Sequence, residues 1–212
     1  MTLVLSVLAV LEAPAKGVRV RWVRCGAVVA AVRPAARIPA VTRAALREHD
    51  RVVRALAQRS EAALPVRFGT VAEDAAELVR QLRPVERELA AALARVRGRE
   101  QMTLRVLGRP ARVKARGGPG ARYLKRRAAA MHAPELKPYR PALKRWVRAE
   151  RVQRHDQGEL VCSVYHLIDR GEAPRYLAAL EGAGRQTRGV RGVRIIASGP
   201  HPAYAFGPEA WA

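Results

Sequence analysis

The chain has 212 residues, 49% of them hydrophobic and 27% charged, which excludes disorder throughout and leaves room for one large domain or two small ones. Its net charge of +22 comes almost entirely from arginine, since Lys16, Lys114, Lys125, Lys137 and Lys144 are the only lysines. A field of that sign attracts nucleic acid, anionic membrane or acidic protein, although arginine spread evenly along a chain is more often solvated surface than a binding site. Aromatic residues make up only 5%, so the cores must be built from Ala, Val and Leu.

Residues 3–11 are apolar and are followed by Ala13-Pro14-Ala15, which imitates a signal-peptidase site. A secretory leader normally carries a basic residue ahead of its apolar run, and none precedes this one. A bilayer span needs about 20 residues, so a buried first strand is the better reading. Val18, Val20 and Trp22 alternate with Arg19, Arg21 and Val23 as a half-buried second strand. Cys25-Gly26 then turns the chain into a third apolar strand over residues 27–32, and Pro34 and Pro39 bracket a loop. Val41, Ala45, His49, Val52 and Leu56 recur at helical spacing, which predicts an amphipathic helix of about five turns.

A strand is predicted over residues 62–68, ended by Gly69, with Thr70 and Glu73 spaced as a capping box for the next helix. That helix turns Ala75, Leu78, Leu82, Leu89, Leu93 and Val96 inward, and Pro84 kinks it or starts a second one. A new unit begins near Gly98, where Met102, Leu104 and Val106 alternate as a strand. Residues 108–120 read as a flexible Gly-, Pro- and Arg-rich loop, and residues 123–151 as irregular helix broken at Pro134, Pro138 and Pro141. A strand over 160–168, a helix over 173–180 and a strand over 193–197 close the chain. The reading is therefore α+β with two domains, residues 1–97 and 98–212, helices packing on a small sheet in the second.

Cys25 and Cys162 stand far apart and outside any CxxC pair, so neither a zinc site nor a disulfide framework is expected, and two isolated thiols suit a reducing cytoplasm. His49 lies on the apolar stripe of its helix, where a satisfied core histidine is the default. His132, His155, His166 and His201 show no metal-ligand spacing, no GxSxG elbow is present, and Asp156 and Asp169 have no evident partner for acid–base work. No catalytic residue, metal or cofactor is expected, and an enzyme is the poorest of the function classes.

Five segments carry a resemblance. They are Leu64-Pro65-Val66-Arg67-Phe68-Gly69-Thr70 with Glu48-His49-Asp50-Arg51-Val52-Val53 ahead of it, Gly98-Arg99-Glu100, the strand over 102–107, Tyr123-Leu124-Lys125-Arg126-Arg127, and Ser198-Gly199-Pro200-His201-Pro202-Ala203-Tyr204-Ala205-Phe206. In this order they resemble the gas vesicle GvpL/GvpF family. His201 stands where that family is expected to have Trp, and Ala203 where it is expected to have a second Pro. The resemblance implies a second domain of modified ferredoxin-like fold. It also implies a cytoplasmic accessory protein that binds the hydrophobic gas vesicle shell protein, limits its aggregation and assists vesicle nucleation, with other gas vesicle proteins as further partners.

Candidate partner-binding residues are Arg67, a charge in an otherwise fold-making segment, and Val193, Ile195 and Ala197 on a strand whose edge can accept another strand. Tyr204 and Phe206 are candidates as apolar anchors of the Pro-fixed tail, with packing back on the tail's own domain as the alternative. The rival function is nucleic-acid binding through Arg112, Lys114, Arg116, Lys125, Arg126 and Arg127, around Gly117-Gly118-Pro119-Gly120. It would call for aromatics interleaved on one sheet face, whereas Trp22, Phe68 and Tyr165 fall on separate segments.

Overall fold

In the computed structural model of this protein, which describes residues 3–108, 133–186 and 192–208, the first apolar run becomes β1 (Val4–Leu11). It has hydrogen-bonded strands along both edges: β3 (Val28–Ala35) on one side, and β4 (Ala63–Pro65) with the short β5 (Val71–Ala72) on the other. β2 (Arg21–Cys25) completes the order β2-β3-β1-β4. Val7, Ala9, Val10 and Leu11 are wholly buried, so both faces of β1 are covered, which is why the run shows no alternation. Covering it are α1 (Arg43–Gln58), which contributes Val52, Val53 and Leu56, and the helices α2 (Ala75–Leu82) and α3 (Glu86–Val96).

Two turns show how local chemistry sets this unit. Gly26, at φ +53°, links β2 to β3, and the Ala27 N–H donates to Glu86 Oε1 at 2.8 Å. A Cβ on Gly26 would stand 2.0 Å from that same oxygen, so a side chain there would displace Glu86 from the turn on a backbone that already favours glycine. The helix after β5 is capped by Asp74, which accepts from the Glu77 N–H at 2.7 Å, while Glu77 reaches back to the Glu73 N–H.

Several expectations are corrected. The strand over 62–68 narrows to β4, and the capping box moves from Thr70/Glu73 to Asp74/Glu77, because Val71 and Ala72 are drawn into pairing with β1. Thr70 instead bonds back to the Arg67 carbonyl through both its N–H and its hydroxyl. Pro34 lies within β3 rather than in a loop, paired with Leu5; β2 has ended at Arg21↔Val32, and a proline is tolerated where no second neighbour needs its N–H. Ala75 is exposed in the first turn of α2, and Val41 lies outside α1, 80% exposed. Pro84 does interrupt the helix, in a 3-10 turn at Arg83–Val85.

The described chain falls into two compact units. One runs to Arg99 and takes in the chain again from Pro202; the other is Glu100–His201. In the second, β6 (Arg99–Gly108) leads to a 3-10 turn at Pro134–Leu136, the short α4 (Arg140–Leu143), β7 (Val147–Arg154), β8 (Leu160–Asp169), α5 (Ala173–Gln186) and β9 (Val193–His201). The sheet order is β7-β8-β6-β9, the arrangement of a ferredoxin-like βαββαβ unit. Residues 147–151 are thus strand, not irregular helix. β7 alternates half-buried and exposed positions at the sheet edge, and its charges, Arg148, Glu150, Arg151 and Arg154, hide that period in the sequence. The expectations placed on residues 109–132, including most of the Gly/Pro/Arg-rich loop and the Tyr123 segment, lie outside the described residues.

Leu11, wholly buried under α1, sets the scale of packing in the first unit. Leu11→Ala should lower the unfolding free energy by about 2–5 kcal/mol, read from the shift of the urea midpoint at constant m-value.

Candidate functional site

On the face of β8 that carries Cys162, Val164 and Ile168 into the core, one polar residue stands: His166, 3% exposed. A histidine there needs partners on both ring nitrogens, and the tertiary structure supplies them. The Tyr176 hydroxyl of α5 lies 2.7 Å from Nδ1, and the Glu150 carboxylate of β7 lies 2.9 Å from Nε2. With the ring proton on Nε2, every member is satisfied: Tyr176 donates to Nδ1, Nε2–H donates to Glu150, and Arg140 of α4 donates to the other Glu150 oxygen at 2.8 Å. Burial opposes ionisation of Glu150, but the hydrogen bonds from His166 and Arg140 outweigh it and bring its pKa down from 4.5 to about 2. Burial, and then the Glu150 charge, push Tyr176 above the ordinary tyrosine range, so it stays a donor.

A second ion pair runs parallel to this chain. Glu135, 2% exposed, accepts from Arg154 of β7 at 3.0 and 3.3 Å. Burial, with Glu135 nearby, lifts the Cys162 thiol to about 11 against the opposing Arg154, so it is an inert core group. Between the 134–144 segment, β7 and β8 lies a cavity of ≈ 660 Å³, lined at its polar part by His166, Glu150, Lys137, Arg140 and Lys144. Among the described residues no group of His, Cys, Asp and Glu has the arrangement of a metal site, and no buried side-chain N or O lacks a partner. No helix among them is long and apolar enough to cross a membrane.

The residues singled out from sequence are dispersed. Arg67 is exposed in the turn between β4 and β5. Val193, Ile195 and Ala197 are half-buried on β9, facing the core of the second unit, while Arg194 and Ile196 face outward, Ile196 at 43% exposure. Among the described residues β9 is an edge strand, paired with β6. Tyr204 and Phe206 lie in a 3-10 turn belonging to the first unit; Phe206 is buried, and Tyr204 packs against the cluster around Leu11 and Leu56. Burial, followed by Asp50, pushes Tyr204 up to about 12. Phe206 is thus packed within the first unit, to which the tail from Pro202 belongs, and Tyr204 is half-buried there. His49 is a core histidine, 3.3 Å from the Val66 carbonyl and edge-on to Phe68.

Sequence reasoning missed the chain of Tyr176, His166, Glu150 and Arg140. One signal was available: a histidine within an apolar strand must find buried partners. Nothing in the spacing says which residues those are. The arginines held responsible for nucleic-acid binding lie outside the described residues, and Trp22, Phe68 and Tyr165 fall on β2, the β4–β5 connection and β8.

Comparison with known proteins bears on the whole chain. The sequence model of the gas vesicle synthesis protein GvpL/GvpF family matches residues 9–208. The fold is similar to the crystal structure of the gas vesicle protein GvpF from Anabaena sp., with a TM-score of 0.73 at 14% identity over 97% of this chain and 96% of that one. It is similar also to GvpF from Microcystis aeruginosa, with a TM-score of 0.71 at 13% identity over 97% and 99% of the two chains. At such identities the likeness bears on the fold alone. A search of curated proteins by sequence finds no match.

Two outcomes test the polar chain. Tyr176→Phe leaves His166 Nδ1 buried without its partner and should cost about 1–3 kcal/mol of stability, read by urea unfolding. Glu150 has a folded pKa of about 2 against an ordinary 4.5, so its stabilisation is fully present above 4.5 and is lost as pH falls toward 2. Glu150→Gln should therefore be less stable at neutral pH and flatten the stability profile in that acid window.

Proposed function

The chain belongs to the gas vesicle synthesis protein GvpL/GvpF family, and on that premise we propose that it is a non-enzymatic accessory protein that binds the hydrophobic shell protein, limits its aggregation and assists vesicle nucleation. The observation that carries this reading is the family match over residues 9–208, nearly the whole chain. It is supported by an edge strand in the second unit. Among the described residues β9 has β6 as its one strand neighbour, and on that footing its far edge presents backbone groups to which a β-rich partner can add a strand. Val193, Ile195 and Ala197 face their own core, so they would contribute main-chain hydrogen bonds, while Arg194 and Ile196 would meet the partner's side chains. Arg67, exposed on the first unit, is a charge available to an acidic group of another vesicle protein. Tyr204 and Phe206 hold the tail in place and have no contact role in this reading.

The net charge keeps such a complex soluble and pairs with acidic partners in the cytoplasm beside the vesicle. Exposed charges are screened over about 8 Å at physiological ionic strength, so electrostatic contacts of this kind weaken as salt rises.

Co-expression of the shell protein with and without this chain is the direct test. More soluble shell protein, co-purifying with the chain, is the expected result; shell protein that aggregates equally in both cases sinks the reading. In the purified complex, backbone amides of residues 193–198 should exchange more slowly than in the chain alone. Unchanged exchange there would remove β9 as the contact.

A further inference from the structure

The cavity beside the buried polar chain has two characters. Pro141 and Val147 give it apolar walls over the buried Leu136 and Leu143, and Lys137, Arg140 and Lys144 line its exposed side. The three cations stand three and four residues apart in one segment, Lys137 ahead of α4, Arg140 within it and Lys144 just after it, and all three line the cavity. Glu150, the acidic residue of the lining, is already engaged by Arg140 and His166. Lys137 and Lys144 are paired with no carboxylate among the described residues. Setting Lys137, Arg140 and Lys144 against Glu150 leaves an excess of two positive charges over an apolar hollow.

The walls are also held in advance. Arg140 is pinned to Glu150 and Glu135 to Arg154, so the irregular 134–144 segment is tied at both ends to β7. A partner therefore need not order it on binding. A volume of ≈ 660 Å³ admits the apolar side chains of one helix face rather than a whole helix.

We propose that this cavity docks an acidic amphipathic helix of a partner protein, its apolar side chains packing against Pro141 and Val147 and its carboxylates pairing with Lys137 and Lys144. Cations beside an apolar groove are matched by carboxylates at helical spacing flanking an apolar stripe. The site lies on α4 and β7, away from β9 in the sheet order, and does not rest on the shell-protein reading.

The test uses the full chain and a fluorescein-labelled synthetic peptide of about 15 residues, long enough to form helix on binding. The peptide carries Leu on one helical face and Glu along its flanks; a scrambled peptide of the same composition is the control. By fluorescence anisotropy near physiological salt, the amphipathic peptide should bind at least about tenfold tighter than the scrambled one. Lys137→Glu/Lys144→Glu should abolish that preference. Lys16→Glu/Arg87→Glu, which changes charge equally on exposed positions of the first unit, should leave it intact. Equal binding of the two peptides would assign the attraction to bulk positive charge and overturn the proposal. So would a preference that survives Lys137→Glu/Lys144→Glu. Phosphatidylglycerol vesicles that bind through the same two lysines, with no peptide preference, would replace the helix by a lipid surface and overturn it as well.

Discussion

A carboxylate removed from water has to be answered by donors, and the second unit is organised around two of them. Glu135 is wholly buried and Glu150 mostly so, and each takes an arginine from a different part of the chain. These pairs need not add net stability, since desolvation offsets much of the attraction, but losing one partner would leave a charge stranded in the interior. The constraint is therefore directional: the 134–144 segment cannot leave β7 without exposing or orphaning an acid. Because that segment is built from single turns rather than one long helix, the ion pairs supply the positional information that a longer helix would draw from packing. Through His166 and Tyr176 the same chain reaches β8 and α5, so four elements are registered by one run of hydrogen bonds.

The first unit is held differently. Its centre is a strand without polar alternation, flanked on both edges and covered on both faces, and the volume is filled with small residues such as Ala9, Ala30 and Ala31. A core poor in aromatic groups brings strands and helices close together, and the turns become the sites where fit is decided. Gly26 illustrates the point: the Glu86 carboxylate that caps its turn occupies the space a side chain would need. The end of the chain joins this unit, with Phe206 buried and Tyr204 against the Leu11 cluster. Residues that look like apolar anchors in the sequence thus pack at least in part within the fold.

Arginine plays two parts. Arg33, Arg51, Arg54, Arg97, Arg140, Arg148 and Arg154 engage carboxylates within the chain, several across long sequence separations. With 40 lysines and arginines against 18 acidic residues, most of the cations cannot be matched by a carboxylate of this chain. An open sheet edge invites self-association unless something opposes it, and like-charge repulsion between copies is one such opposition. That suits a family whose members take part in gas vesicle synthesis, on the reading that this one handles an aggregation-prone partner.

How much of this was legible follows from the range of the forces involved. The α+β class, β1, β3, α1, α3, β8 and the break at Pro84 rest on local periodicity and on proline geometry, both of which can be read one segment at a time. Family membership was legible in the same way, from short segments in a fixed order. What escaped was set by partners distant along the chain. β7 was hidden because its charged residues become acceptable only once Glu135, Arg140 and Asp169 stand opposite them. The capping box slipped by four residues because a two-residue pairing with β1 claimed Val71 and Ala72. His166 looked like an unremarkable histidine until Tyr176 and Glu150 were brought to its two nitrogens. Sequence by itself determined the elements whose stability is local and the family they compose. Only the tertiary structure decided which buried charges meet, because a desolvated ion selects its partner through space and leaves no period in the chain.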